Sequence, residues 1–586
     1  MTNLKLLLNL LKNSNYDGYL INTSDEFLDE FVPEKLQRLK WLTGFSGSNG
    51  LALISLKIKV FFTDGRYVTQ AKQELAADFK IYNIAEMQPE KWLVNNLPAN
   101  FNLAYDAKSF SATTIIKIKK YLKKDNFKLT IEKQNYIDLI WQRPKSKITQ
   151  AEIIADNLAG ANSESKIKNL KFLQQLKAKE AYFTADSAAI NWLLNIRGKD
   201  TKFTPLLHCY FLYYHKNNFI YLDLAKISAA LKTYLFKLNI TILPLKQAEK
   251  IAELCKKYQI KTVKLDINYV SYYFYSEFKA NNIAIESIID PLILAKACKN
   301  KTEIKHCKKS HILDAIAKTK FLFWLDQPQS KLELDEISAS HKLLEFRKQH
   351  KEFLFSSFNT ISAFAENGAI IHYNANQKTN KKFTDANLYL VDSGGQYKFA
   401  TTDITRTIAY QKQATKEQKE NYTLVLKGHI ALAMAKFPQN TKGFQLDILA
   451  RQFLWQYNKD YAHGTGHGVG CFLNVHEGPH SISKAPINHN LQENMLVTNE
   501  PGFYLENHYG IRIENILLIK KNKENMLYFE TLTLVPMDEN LIALKLLTKS
   551  EKLWLKNYHQ KIYNKIGTKL SPKEAKWLKN KIAFYN

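Results

Sequence analysis

Four carboxylates stand inside apolar, strand-like runs in the second half of this 586-residue chain, and any fold it adopts must bring partners to them. Asp392 follows Leu388, Tyr389, Leu390 and Val391, and Asp403 lies between Thr402 and Ile404. Glu500 follows the run MLVTN, and Glu514 sits within IRIENILLI. Runs this rich in β-branched and aromatic residues read as strands, where an ionised group without a partner is too costly to bury. Taken singly, each could lie on a solvated strand face or beside an ordinary cation. Together with His467 they offer four anionic oxygen ligands and one imidazole, the hardness and charge that two divalent cations require. Without cations, mutual repulsion in a shared buried site would force some of these carboxylates to take up protons.

Around this group the periodicity predicts an α+β region of about 290 residues. Helices are expected at 302–325, 335–350 and 446–457, with a further helix opened by a Thr415/Gln418 capping box and ended before Pro438. The segments GAIIHY (368–373), NLYLVDSG (387–394), TTDITRTIAY (401–410), MLVTNEPGFY and GIRIENILLI read as strands. Upstream, KWLTGFSGSN (40–49) echoes NWLLNIRGKD (191–200) at an offset of 151, and each precedes strand-like runs ending in Asp. This predicts two similar α/β domains in tandem, joined at QRPKSK (142–147), where a proline appears and the apolar period is lost. The expected domains are 1–142, 143–294 and 295–586, within the three to five that this length suggests at roughly 100–200 residues each.

A hydrophobic content of 45% with 12% aromatics excludes a disordered or collagen-like chain. The net charge of +28 does not single out nucleic acid, because the 83 basic residues are spread from end to end among acidic neighbours. Only eight of them are arginine, against 75 lysines, a skew that reads as coding bias and suggests that arginine persists where a planar fork is needed. Five scattered cysteines (209, 255, 298, 307, 471) without a CxxC pair speak against a disulfide framework and for a reducing compartment. MTNLKLLLNLLKNSN reads as an amphipathic first helix, and no run approaches the roughly 18 apolar residues of a membrane span. A cytoplasmic protein with no nucleic-acid or membrane partner is expected.

Two pattern matches mislead. HEGPH (476–480) fits the zinc-protease pattern HExxH, but that chemistry needs both histidines on one helix face, and Gly478 with Pro479 breaks a helix. HGTGHGVG (463–470) is glycine-rich, yet matches neither GxGxxG nor a loop ending in GK[ST]. Its glycines predict an extended or looped backbone.

LVDSGGQYKFATTDITRT, HGTGHGVGCFLNVHEGP, TNEPGFY and GIRIEN, in that order, resemble the motifs of the pita-bread metallopeptidases. The spacings of eleven residues from Asp392 to Asp403 and fourteen from Glu500 to Glu514 fit as well. The resemblance is to the long, three-domain aminopeptidase P branch and covers nearly the whole chain. GFSGSNG and FTDGRY match its first domain, INWLLNIRG its second, and WLKNYHQKIYNKIG its C-terminal extension. It implies two creatinase-like N-terminal domains followed by a pita-bread catalytic domain. The implied activity is release of an N-terminal residue from peptides with proline second, by a water that two divalent metals activate.

The same resemblance implies that Asp392 chelates one metal, that Asp403 and Glu514 bridge both, and that His467 and Glu500 complete the second. Mn2+ is the expected ion, with Zn2+ or Co2+ as alternatives. Glu500 would also shuttle the proton, and His372, His463 and His476 would surround the scissile bond. Arg512 would hold neighbouring carboxylates, Arg66 is a further candidate for substrate contact, and a homodimer acting on peptide substrates is implied. His215, His306 and His429 are read as ordinary core or surface histidines. Relatives carry an Asp-Gly pair where this chain has Phe399-Ala400, which questions the turn between the two aspartates, since glycine often supplies its positive φ. Cys471 reads as a buried, inert thiol. The rival readings are a proline dipeptidase, a catalytically silent pita-bread binding protein and a nucleic-acid binder.

Overall fold

A computed structural model of the chain describes residues 2–122, 127–215, 217–328, 334–384 and 386–583. They form two compact units, one of 1–156 with 161–292, the other of 157–160 with 293–586.

The first unit contains the same sheet twice. One has the strand order Lys80–Asn83, Lys59–Thr63, Leu51–Ser55, Gly18–Asn22, Asn102–Tyr105, Lys128–Ile131. The other runs Ile240–Pro244, Asn217–Leu222, Cys209–Tyr214, Glu180–Thr184, Thr262–Leu265, Ala284–Ser287. In both, the second-to-third and third-to-fourth joints are antiparallel and the other three parallel. The weak echo therefore belongs to a duplicated topology. Successive side chains of the first sheet alternate between two cores, with Tyr19, Ile21, Ile54 and Phe61 on one face and Leu20, Leu53, Val60 and Phe62 on the other. Strands buried on both faces read as continuous apolar runs, as LALIS and KVFFT do. QRPKSK falls in a stretch, 141–150, without regular structure.

In the second unit the long helix Lys301–Leu325, capped by an Asn300/Glu303 box, is followed by Glu336–Lys348. A three-stranded antiparallel sheet comes next, in the order Ile361–Phe364, Leu388–Ser393, Ile404–Ala409. In a six-stranded sheet, Asn515–Lys521, Leu496–Asn499 and Gly466–Gly468 lie side by side, and Glu477–Ile482 follows as the edge strand. The Thr415/Gln418 box opens the helix Lys416–Ala433, and Phe444–Trp455 follows. Two helices, Lys549–Ile566 and Pro572–Ala583, close the described chain. The mixed α+β second unit and the α/β repeats agree with the expected fold class.

GAIIHY is not a strand. The chain forms a 3₁₀ turn at Ala365–Ala369 and turns again before Tyr373, whose N–H donates to the Ile370 carbonyl. The Glu336 carboxylate imposes this path by accepting from the Phe364 N–H (2.7 Å), the Tyr373 hydroxyl (2.7 Å) and the Lys381 N–H (2.9 Å). The turn at Phe399-Ala400 forms without glycine: Tyr397 pairs with Ala400, and Phe399 takes the left-handed conformation at φ 70°. That conformation costs about 1–2 kcal/mol for a residue with a Cβ, and the Phe399 ring offsets it by packing against His306 and Phe472. HEGPH runs into the strand Glu477–Ile482 and is not helical.

Six of the eight arginines are buried: 38, 197, 347, 406, 451 and 512. Arg347 grips Asp314 with Nε at 2.6 Å and Nη2 at 3.3 Å, as a planar fork should. All five cysteines are free. Cys471 and Cys307 lie with sulfurs 3.1 Å apart, and this bond together with burial holds the Cys471 thiol protonated, which suits an inert residue. No helix among the described residues is long and apolar enough to cross a membrane.

Candidate metal centre

The four carboxylates occur where strands are registered or broken, which frees each side chain to turn inward. Asp392 lies opposite Ile361 on one side and Thr405 on the other. Asp403 immediately precedes Ile404–Ala409. Glu500 follows Leu496–Asn499 at the point where Pro501 ends the ladder, and its N–H donates to the Thr465 carbonyl at 2.8 Å. Glu514 occupies the break between Tyr509–Arg512 and Asn515–Lys521, its N–H donating to the Thr405 carbonyl at 3.2 Å. His467 is the middle residue of Gly466–Gly468, beside a register shift.

Three overlapping trios, Asp392/Asp403/Glu514, His467/Glu500/Glu514 and Asp403/His467/His476, each bring one ligand atom per residue within 4.8 Å of the others. His467 Nε2 lies 3.6 Å from Asp403 Oδ2 and 3.4 Å from Glu500 Oε1. Its Nδ1 is 2.9 Å from the Gly468 carbonyl oxygen, which can only accept, so Nδ1 carries the proton and Nε2 keeps its lone pair for a cation. Oδ1 of Asp392 and Oδ1 of Asp403 are buried without a hydrogen-bond donor. Burial, then the charges of Asp392 and Glu500, pushes the Asp403 carboxyl well above the ordinary range. Burial, then Asp403 and Asp392, does the same to Glu514. Glu500 is pushed up to about 7 by burial and by Asp392, against the opposing charge of Arg512. Orphaned acceptor oxygens and mutually repelling carboxylates on a buried floor fit two divalent cations.

Neighbouring polar groups fix these ligands. Arg512 donates to Asp392 Oδ2 (2.8 Å), to the Thr405 hydroxyl (3.1 Å) and to the Tyr504 hydroxyl (2.8 Å). Thr405 donates to Glu514 Oε2 at 2.8 Å and Thr498 to Glu500 Oε1 at 3.1 Å. His463 Nδ1 is 2.7 Å from the Gly464 carbonyl and its Nε2 is 2.8 Å from the Tyr504 hydroxyl. The Gly464 carbonyl can only accept, so His463 Nδ1 carries a proton, and the Tyr504 hydroxyl, which accepts from Arg512, links the two side chains. The His476 ring lies 4.3 Å from that of His467, nearly perpendicular to it. His372 lies in the turn beside Arg512, which donates to the preceding Ile371 carbonyl at 3.3 Å.

Of the residues expected at the site, the structure gathers Asp392, Asp403, His467, Glu500, Glu514, His463, His476 and Arg512, with the turn of His372 alongside. Arg66 belongs to the other unit, where it makes a two-point bond to Asp64 (2.8 Å each) and lies against Tyr67. His429 is an ordinary core histidine: it accepts from Asn515 Nδ2 at 3.0 Å, and burial lowers it to about 3. The sequence reading passed over Tyr504, Thr405 and Thr498. Tyr504 closes the TNEPGFY motif and was open to notice there; the two threonines carry no signal beyond standing two residues from Asp403 and Glu500.

Residues 305–521 match metallopeptidase family M24, and 525–584 match the C-terminal region of that peptidase family. Residues 4–132 and 142–303 each match the creatinase/prolidase N-terminal domain. Aminopeptidase P1 of Lotus japonicus is 35% identical, over 96% of this chain and 96% of its own length. Xaa-Pro aminopeptidase 1 of Dictyostelium discoideum is also 35% identical, over 98% and 94%. The crystal structure of X-prolyl aminopeptidase from Caenorhabditis elegans, described as a cytosolic enzyme with a di-nuclear active site, superposes with a TM-score of 0.93. It is 31% identical and covers 99% of both chains. Xaa-Pro dipeptidase from Bacillus anthracis, 22% identical with a TM-score of 0.52, covers 64% of this chain and shares its fold.

Proposed function

This chain belongs to metallopeptidase family M24, in its three-domain aminopeptidase P branch, and from that membership we propose an Xaa-Pro aminopeptidase that removes the N-terminal residue from peptides with proline second. The observation that carries the reading is the convergence of Asp392, Asp403, His467, Glu500 and Glu514, with two buried oxygens lacking donors. Asp392 would hold one divalent cation, His467 and Glu500 the other, and Asp403 and Glu514 both, with Mn2+ the proposed ion and Zn2+ or Co2+ the alternatives. When bound, the pair would supply an acidified water and polarise the scissile carbonyl.

The remaining work falls to the chain. One Glu500 oxygen faces His467 and the other lies 3.9 Å from His463 Nδ1, so Glu500 stands between ligand and substrate sides and is our candidate for passing a proton to the leaving proline nitrogen. His476 would donate to the developing oxyanion, a contribution of about 2.7–4 kcal/mol per donor in comparable sites. His463 would reach substrate by exchanging its bond to the Tyr504 hydroxyl. His372 would orient the residue beyond the scissile bond, Arg512 holds Asp392, and Arg66 is proposed for substrate contact. Proline in second place presents an amide without N–H and a ring that fixes φ near −65°, so a site shaped to it leaves other residues' amides unsatisfied.

We further propose the domain boundaries 1–142, 143–294 and 295–586, supported by the duplicated sheets and the separate family matches. A cytoplasmic location is supported by the free cysteines. A homodimer is supported by Phe444, Ile448 and Trp455, exposed on one face of the helix Phe444–Trp455. The test is hydrolysis of Arg-Pro-Pro before and after chelation, with metals returned singly. Arg-Pro-Pro should be cleaved, Arg-Ala-Pro barely, and N-acetylated peptide not at all. Cleavage confined to Xaa-Pro dipeptides would make the protein a proline dipeptidase instead, and efficient cleavage of Met-Ala-Ser would withdraw the proline specificity.

A further inference from the structure

The peptidase reading leaves unused the acidic residue inside HEGPH. Glu477 is buried, and two buried lysines hold it: Lys296 Nζ lies 2.8 Å from Oε2, and Lys299 Nζ bonds Oε1 while donating to the Lys296 carbonyl at 3.0 Å. Removing three charged groups from water is expensive, and one lysine would already have neutralised the carboxylate. The second lysine contributes geometry: with one ammonium on each oxygen, the carboxylate cannot rotate or slide. Burial pushes the Glu477 carboxyl up and the two ammonium groups more than reverse it, so it stays ionised. Lys299 is itself anchored, its N–H donating to the Asn494 carbonyl at 3.0 Å.

Glu477 sits where a small shift would matter most. It directly follows His476, and it pairs across the strands with Gly468, the neighbour of His467. The backbones touch there: a Cβ on Gly468 would lie 2.2 Å from the Glu477 carbonyl oxygen. Any movement of Glu477 is therefore passed first to His476, which it directly follows, while the N–H of His467 is held separately by the Thr498 hydroxyl at 3.0 Å; the two ring centroids are 4.3 Å apart. Further along the strand, His480 Nε2 donates to the Leu496 carbonyl at 2.7 Å, tying the same strand to the one that leads into Glu500.

We propose that Lys296 and Lys299 are positioning residues for the peptidase reaction, acting through Glu477 to set His476 against the His467 side of the metal centre. The inference rests on the peptidase reading above. Lys→Met at either position keeps most of the side-chain volume and removes the charge, and Lys→Arg restores it. Lys427→Met, which breaks a similarly sheltered pair with Glu551 elsewhere in the unit, controls for simple destabilisation. Lys296→Met and Lys299→Met should each lower kcat by about 10- to 100-fold, the scale of a misplacement near 1 Å, with KM and metal content nearly unchanged. The arginine variants should recover most of kcat, and Lys427→Met should retain it. Hydrogen exchange should quicken at 466–482 in the two methionine variants alone. If Lys299→Met fails to fold, Lys296→Met, which leaves Glu477 one lysine, carries the same test. Unchanged kcat in the methionine variants, loss of kcat in step with metal, or exchange quickened throughout the unit would overturn the inference. If the unaltered protein cleaves no Xaa-Pro peptide, the peptidase reading falls, and exchange at 466–482 alone decides whether the lysines hold this segment.

Discussion

In the metal-free protein, Glu500→Gln should stabilise the catalytic unit at alkaline pH, although it removes a residue the enzyme needs. The Glu500 side chain is 17% exposed, and its carboxyl is pushed from 4.5 up to about 7, by burial first and by Asp392 next among the causes that raise it. At about 1.4 kcal/mol per unit, the ionised form costs the folded state about 3 kcal/mol. Below pH 4.5 folded and unfolded chains are both protonated and glutamine gains nothing. Between 4.5 and 7 the unfolded chain releases its proton while the folded one keeps it, so stability of the metal-free protein falls as pH rises. Above 7 the folded chain carries the whole penalty, and the variant escapes it. The advantage should be small at pH 5 and reach about 3 kcal/mol at pH 8. At roughly 2–4 °C per kcal/mol for a domain of 150–250 residues, that is a shift of several degrees. Calorimetry of both chelated proteins at pH 5, 6.5 and 8 measures it. Equal Tm values at pH 8, or a gap the same at pH 5 and pH 8, would show that the carboxylates are not crowded by burial and repulsion. The physical case for two cations would then fail. With metal restored, the sign of the functional effect reverses: the glutamine amide keeps an oxygen but cannot relay a proton, and most turnover should be lost. Near-normal turnover would remove Glu500 from proton transfer.

Asp403→Ala should abolish peptidase activity and sharply reduce metal content, because the carboxylate assigned to both cations is gone; two metals per chain by elemental analysis would refute that assignment. His476→Ala should depress kcat far more than metal occupancy. Because His476 also falls in a trio with Asp403 and His467, equal losses of metal and activity would instead make it a ligand. Arg347→Leu should destabilise the catalytic unit by about 3–5 kcal/mol, since it leaves the buried Asp314 without its cation; denaturant unfolding that shifts by less than about 1 kcal/mol would show the pair to be replaceable.

What could be read from the sequence was what local rules or electrostatic anomaly mark. The Thr415/Gln418 box announces a helix because both hydrogen bonds lie within four residues. Asp392 and Glu514 announce a site because a charge inside LYLVD or IRIEN violates the strand pattern around it. GAIIHY reads as a strand because Ile370, Ile371 and Tyr373 favour one, and nothing local betrays a turn imposed by Glu336, a residue more than thirty positions upstream. The turn at Phe399 was open to doubt for a sound local reason, and its conformation is offset by ring contacts with His306 and Phe472, both distant in sequence.

The basic residues show most plainly what makes a residue legible. Lys296 and Lys299 grip Glu477 beside the metal centre, yet among 75 lysines nothing distinguishes them, and only the fold reveals their burial. Arginine is informative here for the opposite reason. Where a coding bias supplies lysine at every position that merely needs a positive charge, an arginine survives where a lysine would fail. Failure is costliest where several acceptors must be met at once by a rigid plane inside the protein. Arg406 bonds the Thr405, Glu514, Val535 and Pro536 carbonyls together with Asn515 and Tyr558. Arg451 bonds Asp447, Asp460 and the carbonyls of Tyr461 and His463, which fixes the backbone of a site histidine. Arg512 ties Asp392 to Thr405 and Tyr504. Three of the eight arginines thus brace the segments that carry Glu514, His463 and Asp392. In a chain so depleted of arginine, the residue's rarity carries more information about the site than its charge does.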